Sequence, residues 1–326
     1  MGKFIFREDK MKQGFILILL GLSMNSYTQS LNVGFLFNPG ITLGTDVFAN
    51  SYLNDSTSFQ LNKYKGQLVL PLKTKLGVDG LTLKNFSLKK IDAKASQIFL
   101  TFNGGITQPL LNEDSFFENV YDGAVGLTGL YASVKKGIWM YAANIYFSET
   151  KTTLKNSPNP NFRGYLAKTK IHDLRFVYFY GASLIVNQGK IIPVPMFGFR
   201  KRILPKVTGS LVFPMQVKLK YKQSGQLNFD LAANYDGISA IDREGSALKG
   251  NDHTLNYSQL KTYLGVNGKL GGHYQFAIEL GFSSLRRMTE WSSDFSQHIA
   301  SVPYVSLALN YRFGQSVFDN FMNQME

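Results

Sequence analysis

The chain has 326 residues, of which 44% are hydrophobic and only 17% charged, with a formal net charge of +13. Soluble domains usually have about 25% charged residues, so the composition indicates that something other than water covers much of the surface. Cysteine is absent, which excludes disulfide scaffolds, thiolate metal sites and cysteine nucleophiles. The basic residues are spread over loops and strand ends without a nucleic-acid-binding motif, so we expect no nucleic-acid partner.

The N-terminal residues have the pattern of a secretory signal peptide. A basic start at Lys12 precedes an apolar core from Phe15 to Leu22, and small and polar residues follow it. This core is too short to cross a bilayer as a helix; a short buried hydrophobic helix is the alternative. We assign residues 1–28 to the signal peptide, with Met11 as an alternative start. Residues 29–314 form one β-barrel domain, and residues 315–326 form a short periplasmic tail.

Three stretches of the second half alternate strictly between two kinds of residue. They are LNFDLAANYD (227–236), YQFAIELGF (274–282) and YVSLALNYRFG (304–314). In each, one strand face is apolar or aromatic and the other is small or polar. A soluble sandwich shows this alternation too. No apolar run after the leader is long enough for a membrane helix, so membrane insertion would require a closed barrel.

The connections alternate between long and short, as in outer-membrane barrels with short periplasmic turns and longer extracellular loops. The longer connections, placed outside, are 148–170, 200–206, 237–252 and 283–300. The short turns, placed in the periplasm, are 135–137, 187–190, 222–225 and 270–272.

The sequence therefore predicts an all-β, antiparallel transmembrane β-barrel of about twelve strands, with ten or fourteen as alternatives. Nine segments have a clear strand pattern: 122–134, 138–148, 172–187, 190–200, 206–221, 226–236, 254–268, 273–283 and 304–313. Residues 31–37, 65–73 and either 81–89 or 97–107 would supply three more. Pro193, Pro195 and Pro214 lie within predicted strands, where proline marks an edge or a bulge.

The segment KIIPVPMFGFRKRILPKVTGSLVFPMQVKLKYKQSGQLNFDLAANYDGI (190–238) resembles a family of exported, uncharacterised outer-membrane β-barrels of Gram-negative bacteria. The resemblance implies an outer-membrane location, and the family offers no catalytic residues to carry over. FNP at 37–39 is similar to a motif of barrels associated with gliding and type IX secretion. The last strand resembles the C-terminal signal that the barrel-assembly machinery reads, with Tyr311 and Phe313 at its aromatic positions.

Charged side chains on the polar strand faces are the candidate lumen residues. The lumen-lining candidates are Lys218, Lys220, Asp230, Gln275, Glu279 and Arg312. A lumen with both signs of charge is either a salt-bridged filling or a narrow polar pore. Basic residues of the 200–206 loop could pair with phosphates of lipopolysaccharide in the outer leaflet. These lipopolysaccharide-contact candidates are Arg200, Lys201, Arg202 and Lys206.

Three functional hypotheses follow. The first is a narrow passive channel for small polar solutes, and the second is a filled structural barrel, associated with a secretion or gliding machinery and without transport. The third is an outer-leaflet lipid hydrolase. It would rest on rim histidines and nearby serines, namely His172, His253, His298, Ser292, Ser293 and Ser296. Since the chain has no G-x-S-x-G elbow, we assign no catalytic residue, and we expect no metal or cofactor.

Overall fold

The computed structural model describes residues 38–52, 58–79, 92–111, 119–133, 136–150, 160–173, 175–187, 190–242, 253–290, 296–314 and 316. Regular structure within these ranges is entirely β-strand. The strands are β1 (Gly40–Phe48), β2 (Ser51–Tyr52), β3 (Ser58–Asp79), β4 (Asp92–Leu111), β5 (Val120–Ser133), β6 (Gly137–Thr150), β7 (Asn161–Asp173), β8 (Phe176–Asn187), β9 (Lys190–Leu204), β10 (Val207–Phe213), β11 (Gln216–Lys222), β12 (Leu227–Asp242), β13 (His253–Leu270), β14 (Tyr274–Glu290), β15 (Ser296–Ile299) and β16 (Val302–Arg312). The described residues contain no helix that is long and apolar enough to cross a membrane.

The strands form a single closed sheet. Consecutive strands pair in antiparallel fashion, and β1 pairs with both β16 and β3, which closes the ring. The short strands β2 and β15 only add to β3 and β14, so fourteen of the sixteen strands form the wall. The predicted all-β antiparallel barrel is confirmed, with fourteen strands, the larger of the two alternatives, in place of twelve.

The two faces of the wall differ as the alternation predicts. On the outward face of β12, β13 and β14, Leu231, Leu264 and Leu280 are 54%, 66% and 58% exposed. Their neighbours on the inward face, such as Asp230 and Tyr263, are buried. Each strand therefore has one face for the interior and one for the surroundings of the barrel.

The two ends of the barrel differ in their connections. Gly40 of β1 and Arg312 of β16 are cross-strand partners, so the wall begins and ends at the same rim, which we call the terminal end. At this end the strands are joined across 80–91 and by the short connections 134–136, 174–175, 205–206, 223–226 and 271–273. At the opposite rim, here the loop end, they are joined across 49–57, 112–119, 151–160, 243–252 and 291–301 and by the short connections 188–189 and 214–215.

Two differences from the predicted strands lie between β6 and β12. Residues 161–170, expected to belong to the long loop 148–170, are part of β7, which also includes residues 172 and 173 of the predicted strand 172–187. The predicted strand 206–221 is two strands, because Pro214 and Met215 form a turn in which Met215 N–H donates to Val212 C=O at 2.7 Å. A proline has no N–H for the ladder, and this one is placed where the ladder stops.

The additional turn changes the end at which Arg200, Lys201, Arg202 and Lys206 lie. Their connection was expected outside, with the long loops. In the structure it is at the terminal end, where the backbone N–H of Lys222 donates to the Lys206 carbonyl at 2.8 Å. The predicted placement of this connection was therefore wrong. The same shift moves the 187–190 turn to the loop end.

Pro193 and Pro195 lie beside the part of the wall where the strands, β10 and β11, are shortest. Strand β10 pairs with β9 only from Phe197 towards the terminal end, so Pro193 and Pro195 lie on a stretch of β9 without that neighbour. Since proline cannot donate to a ladder, such an edge is where a strand tolerates it. The expectation that these prolines mark an edge is met at the shortest hairpin of the barrel, β10–β11.

The N-terminal third differs in part from its prediction. Residues 65–73 belong to β3, and 97–107 belong to β4. Residues 31–37 and 81–89, like the signal peptide and most of the C-terminal tail, lie outside the described residues. The sequence reading missed β1, whose residues GITLGTDVF combine a glycine and two threonines with fewer large apolar groups.

Candidate functional site: an ion-paired lumen

Five charged side chains meet inside the barrel, and we call them the ionic cluster: Asp46, Lys63, Lys65, Asp236 and Lys261. Lys63 Nζ donates to Asp236 Oδ2 at 2.8 Å, although β3 and β12 are not neighbours in the sheet. Lys261 Nζ lies 3.0 Å from Asp46 Oδ2 and 4.0 Å from Asp236 Oδ2. The ion pairs therefore cross the lumen and do not follow one strand pair.

Strand register brings these residues to one level. Asp46 is the cross-strand partner of both Lys63 and Ser306. Lys65 Nζ lies 2.7 Å from Asp46 Oδ2. Ser306 Oγ donates to Asp46 Oδ1 at 2.7 Å. Because side chains alternate along a strand, each of these groups faces inward while its neighbours in sequence face outward.

A buried arginine extends the cluster towards the loop end. Arg286 Nε donates to Tyr257 Oη at 2.8 Å, and Nη1 donates to Ser51 Oγ at 2.8 Å. Tyr257 Oη donates to Gln259 Oε1 at 2.9 Å, and Gln259 Nε2 donates to Asp236 Oδ2 at 3.1 Å. Arg286 is 1% exposed and Gln259 is 0% exposed, so this chain of hydrogen bonds is removed from water.

A bulge places Arg286 on the inward face. The register between β13 and β14 shifts between Ser258 and Leu260, and Leu285 has φ 49, in the left-handed region. One extra residue in β14 reverses which of its residues face inward. Glu279 and Ser283 are inward at odd positions before the bulge, and Arg286 and Met288 at even positions after it.

Apolar side chains fill the space around the cluster. Phe48, Phe59, Ile238 and Met288 belong to one buried group that spans the lumen at the loop end. Aromatic rings also contact the cations, since Lys261 Nζ lies 4.7 Å from the centre of the Tyr304 ring. Such contacts and ion pairs together compensate for the loss of water around a buried charge.

The barrel narrows at its loop end where β6 and β12 meet. Ile241 and Glu149 form a parallel bridge, and both are buried although they are on the outward faces of their strands. The two strands are separated elsewhere by β7 to β11. On β12, Asp236 of the ionic cluster lies five residues before this bridge.

The register places every lumen-lining candidate on the same face as the ionic cluster. Lys218 Nζ is 3.5 Å from Asp230 Oδ2, which also accepts from Asn267 Nδ2 at 2.9 Å. Lys220 is the cross-strand partner of Asp230. The remaining candidates pair across strands as Gln275 with Asn310, Glu279 with Ser306, and Arg312 with Gly40. Whether they line a solute path stays a prediction.

The other predicted residues lie apart from this cluster. Tyr311 and Phe313 are on the outward face at the terminal end, with the Tyr311 ring 5.0 Å from that of Tyr274. Their role in assembly stays a prediction. His172 is exposed at the terminal end beside Asp173, and His298 is on β15 opposite Arg287. Ser292 and Ser293 lie outside the described residues, and Ser296 Oγ accepts from Arg287 Nε at 2.9 Å.

Sequence reasoning missed all five residues of the ionic cluster. Only Asp236 is in one of the three alternating stretches, and it was not among the candidates. Lys261 could have been found, because HTLNYSQLKTYLGVNGKL places it in phase with Tyr257, Gln259 and Tyr263. Asp46 and Lys63 gave no comparable signal, since the partners they reach on β13 and β12, Lys261 and Asp236, are more than 170 residues away in sequence.

Ser316, the last described residue, lies inside the barrel beyond the end of β16. Ser316 is buried, its N–H donates to Asn38 Oδ1 at 2.9 Å and its Oγ donates to Gln97 Oε1 at 2.8 Å. Gln97 is on the inward face of β4, opposite Leu130. Leu130 belongs to a second buried apolar group, on β5 to β10. The inward face of the wall at the terminal end therefore also contacts buried side chains, namely Ser316 and the second apolar group.

Residues 144–318 match a protein family described as a domain of unknown function, DUF6268. The chain belongs to this family. The match spans 175 of 326 residues (318 − 144 + 1) and includes the 190–238 segment that resembles uncharacterised outer-membrane barrels. No curated protein sequence matches the chain.

Solved structures similar to this chain include three outer-membrane proteins. The COG4313 outer membrane channel from Pseudomonas putida F1 is 10% identical, with coverage of 84% of this chain and 97% of that chain and a TM-score of 0.34. The translocator domain of the autotransporter NalP from Neisseria meningitidis is 9% identical, with coverage of 94% of this chain and 96% of that chain and a TM-score of 0.31. The toluene transporter TodX from P. putida is 9% identical, with coverage of 91% of this chain and 94% of that chain and a TM-score of 0.26. Likenesses this distant carry no argument about substrate or activity.

Proposed function

We propose that this protein is an outer-membrane β-barrel with a closed lumen, acting as a structural or machinery-associated barrel and not as a passive channel. The cross-lumen ion pair between Lys63 and Asp236 is the observation that carries this proposal. It rests on two steps, a wall suited to lipid and an interior without a water-filled path.

The outward face of the wall is suited to lipid. Large apolar side chains follow one another around it, with Leu43, Leu166, Leu219 and Leu307 each exposed. A contiguous apolar surface of this extent is costly in water and marks a protein or membrane interface. A closed antiparallel barrel also satisfies its backbone hydrogen bonds without an open edge, as the hydrocarbon region requires. The even strand number and shared end of both termini agree with single-chain bacterial outer-membrane barrels.

The interior favours a filled barrel over an open channel. A water-filled pore keeps its inward polar groups in contact with water. Here Asp46, Gln259 and Arg286 are each at most 1% exposed, and Lys63 and Lys261 reach Asp236 and Asp46 on strands that are not their neighbours in the sheet. Buried charge of this kind persists only when paired and hydrogen-bonded. A barrel of intermediate strand number can be open or filled, and these contacts favour the filled alternative.

Conductance and flux measurements test the proposal directly. Refolded mature protein, with its fold checked by heat-modifiable gel migration, is placed in planar bilayers and in solute-swelling liposomes. We expect no steady current steps and no solute uptake. Steady ohmic steps from the folded wild type would overturn the closed-lumen proposal in favour of a narrow passive channel.

A variant with an emptied interior shows that the assay can detect an open lumen. Lys63→Ala, Asp236→Ala and Arg286→Ala together remove three crossing side chains, and we expect this variant, where folded, to conduct. The matched control is Lys73→Ala, Asp173→Ala and Arg287→Ala, which removes the same residue types from exposed positions. We expect the control to behave as the wild type.

The structural role predicts a stable protein partner, such as a component of a secretion machinery. Gentle detergent extraction of the tagged protein, followed by mass spectrometry, would identify such a partner. The same partner should be lost from a misfolded variant and retained by the matched control.

A further inference from the structure

A second surface with an unusual combination of side chains lies outside the barrel, on β6 to β9 near the terminal end. Cross-strand partners there form an outward row of Trp139, Lys168, Tyr180 and Phe197. The next row towards the rim contains Lys170, the partner of Tyr178. Each of the two adjacent rows thus has one lysine beside aromatic side chains.

The two lysines of these rows lie over aromatic rings. Lys168 Nζ is 5.0 Å from the centre of the Trp139 ring, and Lys170 Nζ is 5.9 Å from that of Tyr180. A Cβ built at Gly137, in the turn at the terminal end, would be 3.8 Å from Lys168 Cε, so the Lys168 side chain extends towards the rim. This is the arrangement of a cation that reaches from an apolar wall to the membrane–water boundary.

More basic groups surround the rows at the rim. Lys201 is the partner of Phe176 on the outward face, and Arg175 and Lys206 are in the adjoining turns. All three are exposed. Among the described residues of this sector the carboxylate present is that of Asp173, and one of its oxygens already accepts from the Arg175 N–H at 2.6 Å. The sector therefore carries a clear excess of positive charge.

We propose that this surface, here the basic-aromatic patch, binds the headgroups of anionic phospholipids. The inference rests on the membrane placement proposed above. Basic side chains beside a membrane surface attract anionic headgroups, and lysine and arginine donate charge-assisted hydrogen bonds to phosphate. The indole and phenol rings place the site at interface depth.

The placement of the patch favours a lipid over a soluble anionic partner. Its lysines are on the outward wall beside rings that face the surroundings of the barrel, and not around the mouth of the lumen. A soluble acidic protein would reach the turn residues Arg175 and Lys206 more readily than Lys168, which lies against Trp139. The turns 223–226 and 271–273 contain no lysine or arginine, and the lysines beside them, Lys222 and Lys269, are on the inward face opposite Asn228 and Gln275. Lys73 and Lys75 of β3 are basic residues of this end that lie outside the patch.

Native mass spectrometry of the detergent-extracted, folded barrel tests the proposal. The probes are dioleoyl phosphatidylglycerol and dioleoyl phosphatidylcholine, which share acyl chains and differ in headgroup charge. We expect preferential retention of phosphatidylglycerol, and a fall of at least about fivefold in Lys168→Gln/Lys170→Gln/Lys201→Gln. The matched control Lys73→Gln/Lys75→Gln/Lys269→Gln removes the same charge elsewhere and should keep the preference. Replacement of the three patch lysines by arginine should restore it.

Each contrary result has a defined meaning. No preference for phosphatidylglycerol, or an equal fall in both triple variants, would overturn the patch as a lipid site. Weak lipid binding together with patch-dependent binding of a soluble polyanion such as heparin would assign the patch to a soluble acidic partner instead. If the wild type inserts into vesicles and folds normally, such failures leave the barrel proposal intact; failure to insert would overturn the membrane placement itself.

Discussion

The ionic cluster inside the barrel and the basic-aromatic patch outside it use lysine in opposite ways. Lys63 and Lys261 are buried and reach carboxylates within 3.0 Å. Lys168 and Lys170 face outward, and their ammonium groups lie over the rings of Trp139 and Tyr180. A lysine removed from solvent needs an anion from its own chain, whereas one at an interface can obtain its anion from the surroundings.

The largest expected effect in this comparison comes from unpairing the interior. Asp236→Asn removes the negative charge that Lys63 contacts at 2.8 Å and Lys261 at 4.0 Å, and leaves both cations buried. Breaking a buried ion pair on one side costs about 3 to 5 kcal/mol. We expect a loss of this size in the free energy of unfolding, measured by urea titration of the barrel in lipid vesicles. Asp173→Asn, at an exposed carboxylate, should change it little.

A double variant distinguishes a true pair from general damage. If Lys63 and Asp236 stabilise each other, Lys63→Met combined with Asp236→Asn should lose clearly less than the sum of the two single losses. Strictly additive losses would show that the two side chains act independently. They would remove the main support for a lumen that is closed by ion pairs between opposite strands.

The next largest expected effect comes from substitutions on the two faces of one strand, β14. Leu280 is outward and exposed midway along β14, and Glu279 beside it is inward. A cation on the lipid face near the bilayer centre costs about 2 to 4 kcal/mol, so Leu280→Arg should lower the stability of the inserted barrel by that amount. Glu279→Gln, one residue away, should have a smaller effect. Urea titrations of the barrel in lipid vesicles measure both losses of stability. Leu280→Met is the control for a change of side-chain shape without a charge.

Equal losses at both positions would mean that the two faces do not meet different environments. A soluble barrel would show a further difference, because arginine at an exposed position in water costs almost nothing. The pair of substitutions therefore tests the membrane placement independently of any transport assay.

The difference in polarity between the two faces of a strand determined whether that strand could be predicted from the sequence. Strands β12, β14 and β16 were found because large apolar residues alternate with polar ones, as in Phe229 and Leu231 against Asp230. Strand β7 was missed because lysines occupy outward positions and Tyr165 and Ala167 occupy inward ones, which conceals the alternation. The lysines that concealed β7 are those of the basic-aromatic patch.

The turn that divides β10 from β11 was missed for a different reason. It is formed by Pro214 and Met215 within the apolar run LVFPM and has none of the glycine, asparagine or aspartate residues that usually mark a hairpin. One missed turn was enough to move Arg200 and Lys206 to the opposite end of the barrel. Interior pairs such as Lys63 with Asp236 required the closed register of the whole wall, which alternation within single strands does not contain.

The smallest expected effect concerns the outward aromatic pair at the terminal end. The rings of Tyr274 and Tyr311 are 5.0 Å apart, and an aromatic pair contributes about 0.5 to 1.5 kcal/mol. Tyr274→Ala removes this contact, and Tyr311→Ala removes it together with the ring contacts to His273 and Phe313 at 6.0 and 5.7 Å, so Tyr311→Ala should lower the stability of the refolded barrel somewhat more. Only Tyr311 is in the C-terminal strand that resembles an assembly signal.

Assembly in cells therefore separates the two roles. If Tyr311 is part of the assembly signal, Tyr311→Ala should reduce the fraction of heat-modifiable barrel in the membrane several-fold more than Tyr274→Ala does. The exposed outward positions of Tyr311 and Phe313 leave both rings accessible, because the chain turns inward only after them, at Ser316. Equal reductions by the two variants would show that Tyr311 contributes packing alone and that the predicted signal is wrong.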